Sequence, residues 1–103
     1  MRRELEILDE LLTEYGESRS AQAVRAAREG TDADRRAFLV SNELWGGAGS
    51  IADQAGVGRG RKARMAIESA LVSLGREQMR QNVVNDRTAM WVDAFSSWQG
   101  DDV

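Results

Sequence analysis

Gly46-Gly47-Ala48-Gly49-Ser50-Ile51-Ala52-Asp53 lies near the middle of the 103-residue chain and joins a glycine cluster to a Ser-x-x-Asp spacing. That spacing is the one found in a capping box, where a serine side chain accepts a hydrogen bond from a backbone N–H of the first helical turn. Ser50 is therefore expected to start a short helix ending near Gly56, with Asp53 standing where Glu or Gln is more usual. A glycine run that stops one helix just before a serine starts the next predicts a sharp turn between packed helices, with the glycines supplying positive φ.

Outward from this turn the chain is punctuated in the same manner. Residues 3 to 15 carry Leu5, Leu8, Leu11, Leu12 and Tyr15 at three- and four-residue spacings, and Gly16 follows; this is the stripe of an amphipathic helix with a glycine stop. Residues 18 to 29 offer Ser18 or Ser20 as a cap, the small buried set Ala21, Val24 and Ala27, and Gly30 as the end. Thr31 and Asp32 can cap a third helix that brings Phe38, Leu39, Leu44 and Trp45 inward before Gly46. Beyond Gly56-Val57-Gly58-Arg59-Gly60, the longest stripe comprises Ala63, Ala66, Ile67, Ala70, Leu71 and Leu74, with Gly75 placed to interrupt or weaken it. A last helix over 86 to 98, capped by Asn85 or Asp86, sets Trp91, Phe95 and Trp98 on one face at i, i+4 and i+7, and the acidic tail Gly100-Asp101-Asp102 is expected to fray. The fold expected is all-α: a single domain over residues 1–103, a small bundle of about five helices around a glycine-rich central turn.

Composition narrows the chemistry. The chain has no Cys and no His, which removes disulfides, thiolate ligands, a cysteine nucleophile, the commonest general base and the commonest transition-metal ligand. Neither a metal nor an organic cofactor is expected. No window has the length and apolarity of a signal peptide or a membrane span, so the expectation is a cytoplasmic protein without a membrane partner. The formal net charge is −3, yet residues 59–64 hold Arg59, Arg61, Lys62 and Arg64 with no acid among them.

Four groups of residues are candidates for function. Glu6, Asp9, Glu10 and Glu14 form an acidic row on the first helix that could gather a cation through oxygen ligands, but without histidine a solvated face balanced by arginines is the expectation. The turn residues Gly46, Gly47, Gly49, Ser50 and Asp53 present backbone N–H groups at a helix start, where a small anion could sit. They lack the Lys-Ser or Lys-Thr of a phosphate-binding loop. Arg59, Arg61, Lys62 and Arg64 are candidates for nucleic-acid or anion contact. Trp91, Phe95 and Trp98 are candidates for an interface, because three Trp in a chain this short exceed what a small core readily hides. An enzyme is the least favoured reading; it would rest on carboxylates such as Glu43 and Asp53 near Ser50.

Two resemblances follow from these residues. Ser50 to Met65 resembles the helix-turn-helix of bacterial repressors, with Ala52, Gly56 and Val57 in the places of its Ala, turn Gly and Val. It implies a recognition helix beginning over Gly58 to Arg64, although Lys62 falls where that motif has a buried Val or Ile. Over roughly the first three quarters of the chain, the layout of helices around Gly16-Glu17 and Gly46 to Asp53 is similar to small uncharacterised bacterial all-helical proteins. Those carry a Phe-Gly-Gly-Met-Gly-Ser-Leu-Asn-Asp-type turn before a long helix. Trp45, Ala48 and Ala52 stand here for the Phe, Met and Asn. The resemblance implies a structural role for the turn and carries no activity. The function expected is a small helical interaction or binding module that self-associates as a dimer or engages another protein. The alternative is a DNA-binding protein using residues 59–64.

Overall fold

A computed structural model describes the backbone of residues 1–101 and the side chains of residues 1–98. Leu5, Leu8 and Leu12 recur along one face of α1 (Arg2–Glu14) and are all fully buried, so the first stripe forms the floor of the core. Gly16, at φ +79°, ends the helix: the Glu17 N–H reaches the Leu12 carbonyl (2.8 Å) and the Gly16 N–H reaches that of Thr13 (3.2 Å), the paired bonds of a Schellman turn. That turn leaves Glu17 at the cap position of α2 (Ser18–Glu29), so neither Ser18 nor Ser20 serves as the cap. The buried guanidinium of Arg35 closes the far end of α2 by donating to the carbonyls of Arg28 and Gly30, both at 3.1 Å.

Arg25 and Arg28 of α2 converge on the buried carboxylate of Asp9 in α1. Arg25 donates twice, at 2.9 and 3.1 Å, while Arg28 donates at 3.3 Å and the Thr13 hydroxyl at 3.2 Å. The acidic row is thereby divided: Asp9 joins α1 to α2, and Glu10 and Glu14 face solvent. Burial pushes the Asp9 pKa up, but the hydrogen bond and charge of Arg25, the Thr13 hydroxyl and the charge of Arg28 outweigh it and hold the carboxyl below its ordinary value. A carboxyl group with a lower pKa folded than unfolded stabilises the fold above the unfolded value of about 4, and the contribution fades as pH falls through the folded value. Asp9→Asn is therefore expected to melt lower than wild type at neutral pH by the equivalent of about 1–3 kcal/mol. The gap should narrow as pH falls below about 4 and wild type loses the contribution. A gap unchanged by acid would show that the charge of Asp9 contributes nothing.

α3 (Asp32–Leu39) starts with a complete capping box between Thr31 and Asp34. The third segment does not run on to Trp45, as its apolar spacing suggests. Ser41 breaks it: its Oγ donates to the Phe38 carbonyl (2.6 Å) and accepts from the Leu44 N–H (3.3 Å), ending α3 and capping the single-turn α4 (Asn42–Trp45). Two further helices follow α5 (Ile51–Gln54). α6 (Arg61–Gln81) passes through Gly75 without interruption, and α7 (Thr88–Asp101) extends past the expected end at 98. Gly75 persists in the helix because a Cβ there would lie 2.4 Å from Val92 Cγ2 and 3.3 Å from the Trp45 ring. The expectation for the tail at Asp102 lies outside the described residues.

Among the described residues the fold is all-α, five helices of two turns or more and two single-turn pieces. Hairpins α1–α2 and α6–α7 pack through α1 and α6, and one hydrophobic cluster draws on every helix. Trp45, with no exposed surface, is set into it by a buried amide. Its Nε1 donates to Gln78 Oε1 (2.8 Å), while Gln78 Nε2 donates to the carbonyls of Leu39 (2.8 Å) and Val83 (2.7 Å). One side chain of α6 thus fixes the end of α3, the α4 tryptophan and the link to α7. No described helix is long and apolar enough to cross a membrane.

Candidate functional site: a groove between the glycine turn and the last helix

The glycine turn is closed by its own hydrogen bonds. Ser50 Oγ donates to the Gly46 carbonyl (2.9 Å) and accepts from the Asp53 N–H (3.1 Å), the Ser50 N–H reaches the Gly47 carbonyl (3.1 Å), and the Gly49 N–H reaches the Asp53 carboxylate (3.0 Å). The N–H groups of Gly49, Ser50 and Asp53 therefore all have acceptors within the chain. Of the turn glycines only Gly49 has positive φ, at +87°, so conformation is not what Gly46 and Gly47 supply. Gly46 is required by space instead: a Cβ there would lie 2.3 Å from the Asn42 carbonyl oxygen.

Trp91 ties α7 to this turn, its Nε1 donating to the carbonyls of Trp45 (3.0 Å) and Gly46 (3.3 Å). Along α7 the three aromatics make successive ring contacts, Trp91 to Phe95 stacked at 5.3 Å and Phe95 to Trp98 edge-on at 5.7 Å. Their exposure does not follow their order along the helix. Phe95 is core, Trp91 is half-buried, and Trp98 keeps 52% of its surface in solvent.

The basic segment is split by the start of α6. Gly58 and Gly60, at φ +78° and +93°, cannot join a right-handed helix, so Arg59 lies in the connection and α6 begins at Arg61. Arg59 is held to Glu17 (3.0 Å) and to the Gly16 carbonyl (3.3 Å). Arg61, Lys62 and Arg64 are exposed on the first turn of α6. Arg64 lies 3.9 Å from the buried carboxylate of Glu68, a loose i, i+4 pair.

These three groups meet. A groove of about 400 Å³ is lined by Ala52, Asp53 and Ala55 from the turn and α5, Val57 from the glycine loop, Arg64 and Glu68 from α6, and all three α7 aromatics. Its volume is in the range of ligand and side-chain pockets, roughly 300–1,000 Å³, and its walls are mostly apolar with a few polar groups. Of the sequence candidates, Asp53, Arg64, Trp91, Phe95 and Trp98 come together here; Gly46, Gly47, Gly49, Ser50, Arg59, Arg61 and Lys62 do not line it. Glu43 is exposed and lines a separate hollow with Ala23 and Phe38, so it is not brought together with Asp53. Ala52 and Val57, two positions of the repressor-like motif, are wall residues, as are Ala55 and Glu68, which the sequence reading did not single out. The i, i+4 spacing of Arg64 and Glu68 was the one legible sign of the last.

No family model, curated protein or solved structure matches the chain. The fold and the groove define it as a small all-α bundle with a mostly apolar recess bordered by exposed Trp98 and Val57.

Proposed function

We propose that this chain is a small helical interaction module of the bacterial cytoplasm whose working surface is the groove at Trp98. The carrying observation is the pair of large apolar side chains left in solvent beside the recess: Trp98 at 52% and Val57 at 60% exposure. Half-exposed tryptophan next to a mostly apolar recess is the composition of an interface centre, where a few aromatic anchors dominate binding. The chemistry offered is burial of apolar side chains, with Asp53 and Arg64 supplying polar contacts at the walls.

The test is a Val57→Ser/Trp98→Ser variant. Both side chains are largely outside the core, so the thermal melt should move by no more than the equivalent of about 1–2 kcal/mol. Proteins captured from a lysate by the wild type, or its own self-association measured by light scattering, should weaken at least about tenfold. An unchanged set of captured proteins and an unchanged mass would sink the reading.

The exposed start of α6 supports DNA binding as the second reading. Arg61→Ala/Lys62→Ala separates the two: it should abolish salt-sensitive anisotropy changes with labelled duplex DNA if that reading holds, and leave the groove's binding intact if it does not.

A further inference from the structure

We infer that residues 57–59 form a strap at the mouth of the groove, pivoting at Gly56 and Gly60 and held closed by a catch in which Arg59 clasps Glu17 at the α1–α2 turn. The use of such a strap rests on the interaction-module reading; its existence does not, and it can be tested without a partner.

Both ends of the strap are fixed. Gly56 is pressed against α6, where a Cβ on it would lie 2.5 Å from Arg64 Cα, and at the other end α6 begins at Arg61. Between these points the chain has room, since nothing lies within 4 Å of a Cβ built on Gly58 or Gly60. Glycine crosses between positive and negative φ at little cost, so Gly56, Gly58 and Gly60 give the segment the backbone freedom to move. The Val57 N–H bonds the Gln54 carbonyl and the Arg59 N–H bonds the Gly56 carbonyl, both at 3.0 Å, which shapes the turn without tying it to another part of the fold. Arg59 supplies that tie. Its side chain donates to Glu17 (3.0 Å) and to the Gly16 carbonyl (3.3 Å), 42 and 43 residues away, and it lies 3.4 Å from where a Gly16 Cβ would stand.

The strap carries Val57, a wall of the groove beside Trp91 and Trp98 that keeps 60% of its surface in solvent. Little apolar packing therefore holds Val57 in place, and the wall moves wherever the strap moves. The strength of the catch suits this role. Its side chains are 45% and 19% exposed, and an ion pair in such contact with solvent shifts an equilibrium by no more than about fivefold. That is too weak to staple the fold and enough to set the balance between two positions of a short segment. Loosening the catch at the α1–α2 turn then widens the groove without touching its other walls.

The experiment uses the chain's lack of cysteine. Val57→Cys provides a single thiol for a bimane dye, whose emission is quenched on contact with tryptophan, here Trp91 and Trp98 in the same groove. Adding Glu17→Ala should lower the ratio of quenched to unquenched dye about two- to fivefold. Salt on the order of 0.5 M should do the same while Glu17 is present and change little once it is gone. The exchange Arg59→Glu/Glu17→Arg should restore most of the ratio, and the melting temperature of Glu17→Ala should fall by no more than about 8 °C. A ratio that neither Glu17→Ala nor salt alters, or that the exchange does not restore, would overturn the inference. So would a melt lowered by more than about 10 °C, which would make the pair a staple of the whole fold. The dye reads the strap alone and capture by Val57→Ser/Trp98→Ser reads the module, so either can fail while the other stands.

Discussion

Gln78→Leu is expected to lower the melting temperature by roughly 5–20 °C, the equivalent of about 1–3 kcal/mol. The replacement has nearly the right size, so the loss comes from hydrogen bonding. Three groups lose their partner: the Trp45 indole N–H and the carbonyls of Leu39 and Val83. Leaving a buried polar group unpaired costs about 1–3 kcal/mol, and the Val83 carbonyl, only partly buried, can recover a water. A buried leucine offsets part of this by about 1.5–3 kcal/mol, which leaves the hydrogen-bond loss ahead. Thermal denaturation followed by circular dichroism checks the figure. A variant as stable as wild type would mean that Trp45 is held by apolar contact alone.

Gly56→Ala should destabilise by about 2–5 kcal/mol, and Gly58→Ala by only about 1–2. Both glycines have positive φ, +71° and +78°, so alanine pays the left-handed penalty at either place. They differ in surroundings. A Cβ on Gly56 would lie 2.5 Å from Arg64 Cα and 2.8 Å from its N, backbone atoms that can yield only if the start of α6 moves, whereas nothing lies within 4 Å of a Cβ on Gly58. Urea denaturation of the two variants isolates that difference. Equal losses would show that the loop does not press on α6.

The pair also marks how far the sequence is legible. Of the glycines at 46, 47 and 49, where positive φ is the expectation, only Gly49 has it, whereas glycines at 56, 58 and 60 announce a break and all three have positive φ. Which of them touches another helix depends on where α6 begins, and local spacing holds no record of that. The leucines of α1 were readable because their partners recur every three or four residues. So was the Ser50 to Asp53 cap, whose bonds span only that distance. Gln78 was not readable, since its contacts lie 33 and 39 residues away and an amide in a helix looks like any solvent-facing residue. Ser41 was passed over because the apolar spacing from Phe38 to Trp45 outweighed it, although Ser before Asn-Glu-Leu is itself a helix-start pattern. The three aromatics of α7 were legible as a set. Their convergence with Asp53 and Arg64 was not, because the groove is assembled from four separate segments.

The two single-turn helices α4 and α5 carry a consequence for the order in which the chain gains and loses structure. Pieces of four residues lie far below the length at which a helix persists unaided, about 12–15 residues, so they exist only while Trp45 and Trp91 are seated. The hairpins on either side are joined by short links and can form from neighbouring sequence. Folding is then two local condensations followed by insertion of a central wedge. In the folded protein the wedge is held by side-chain contacts and not by helix length, so its amides should exchange with solvent through openings that leave α1 and α6 intact. The groove shares a wall with that wedge, so each such opening would also remake the groove.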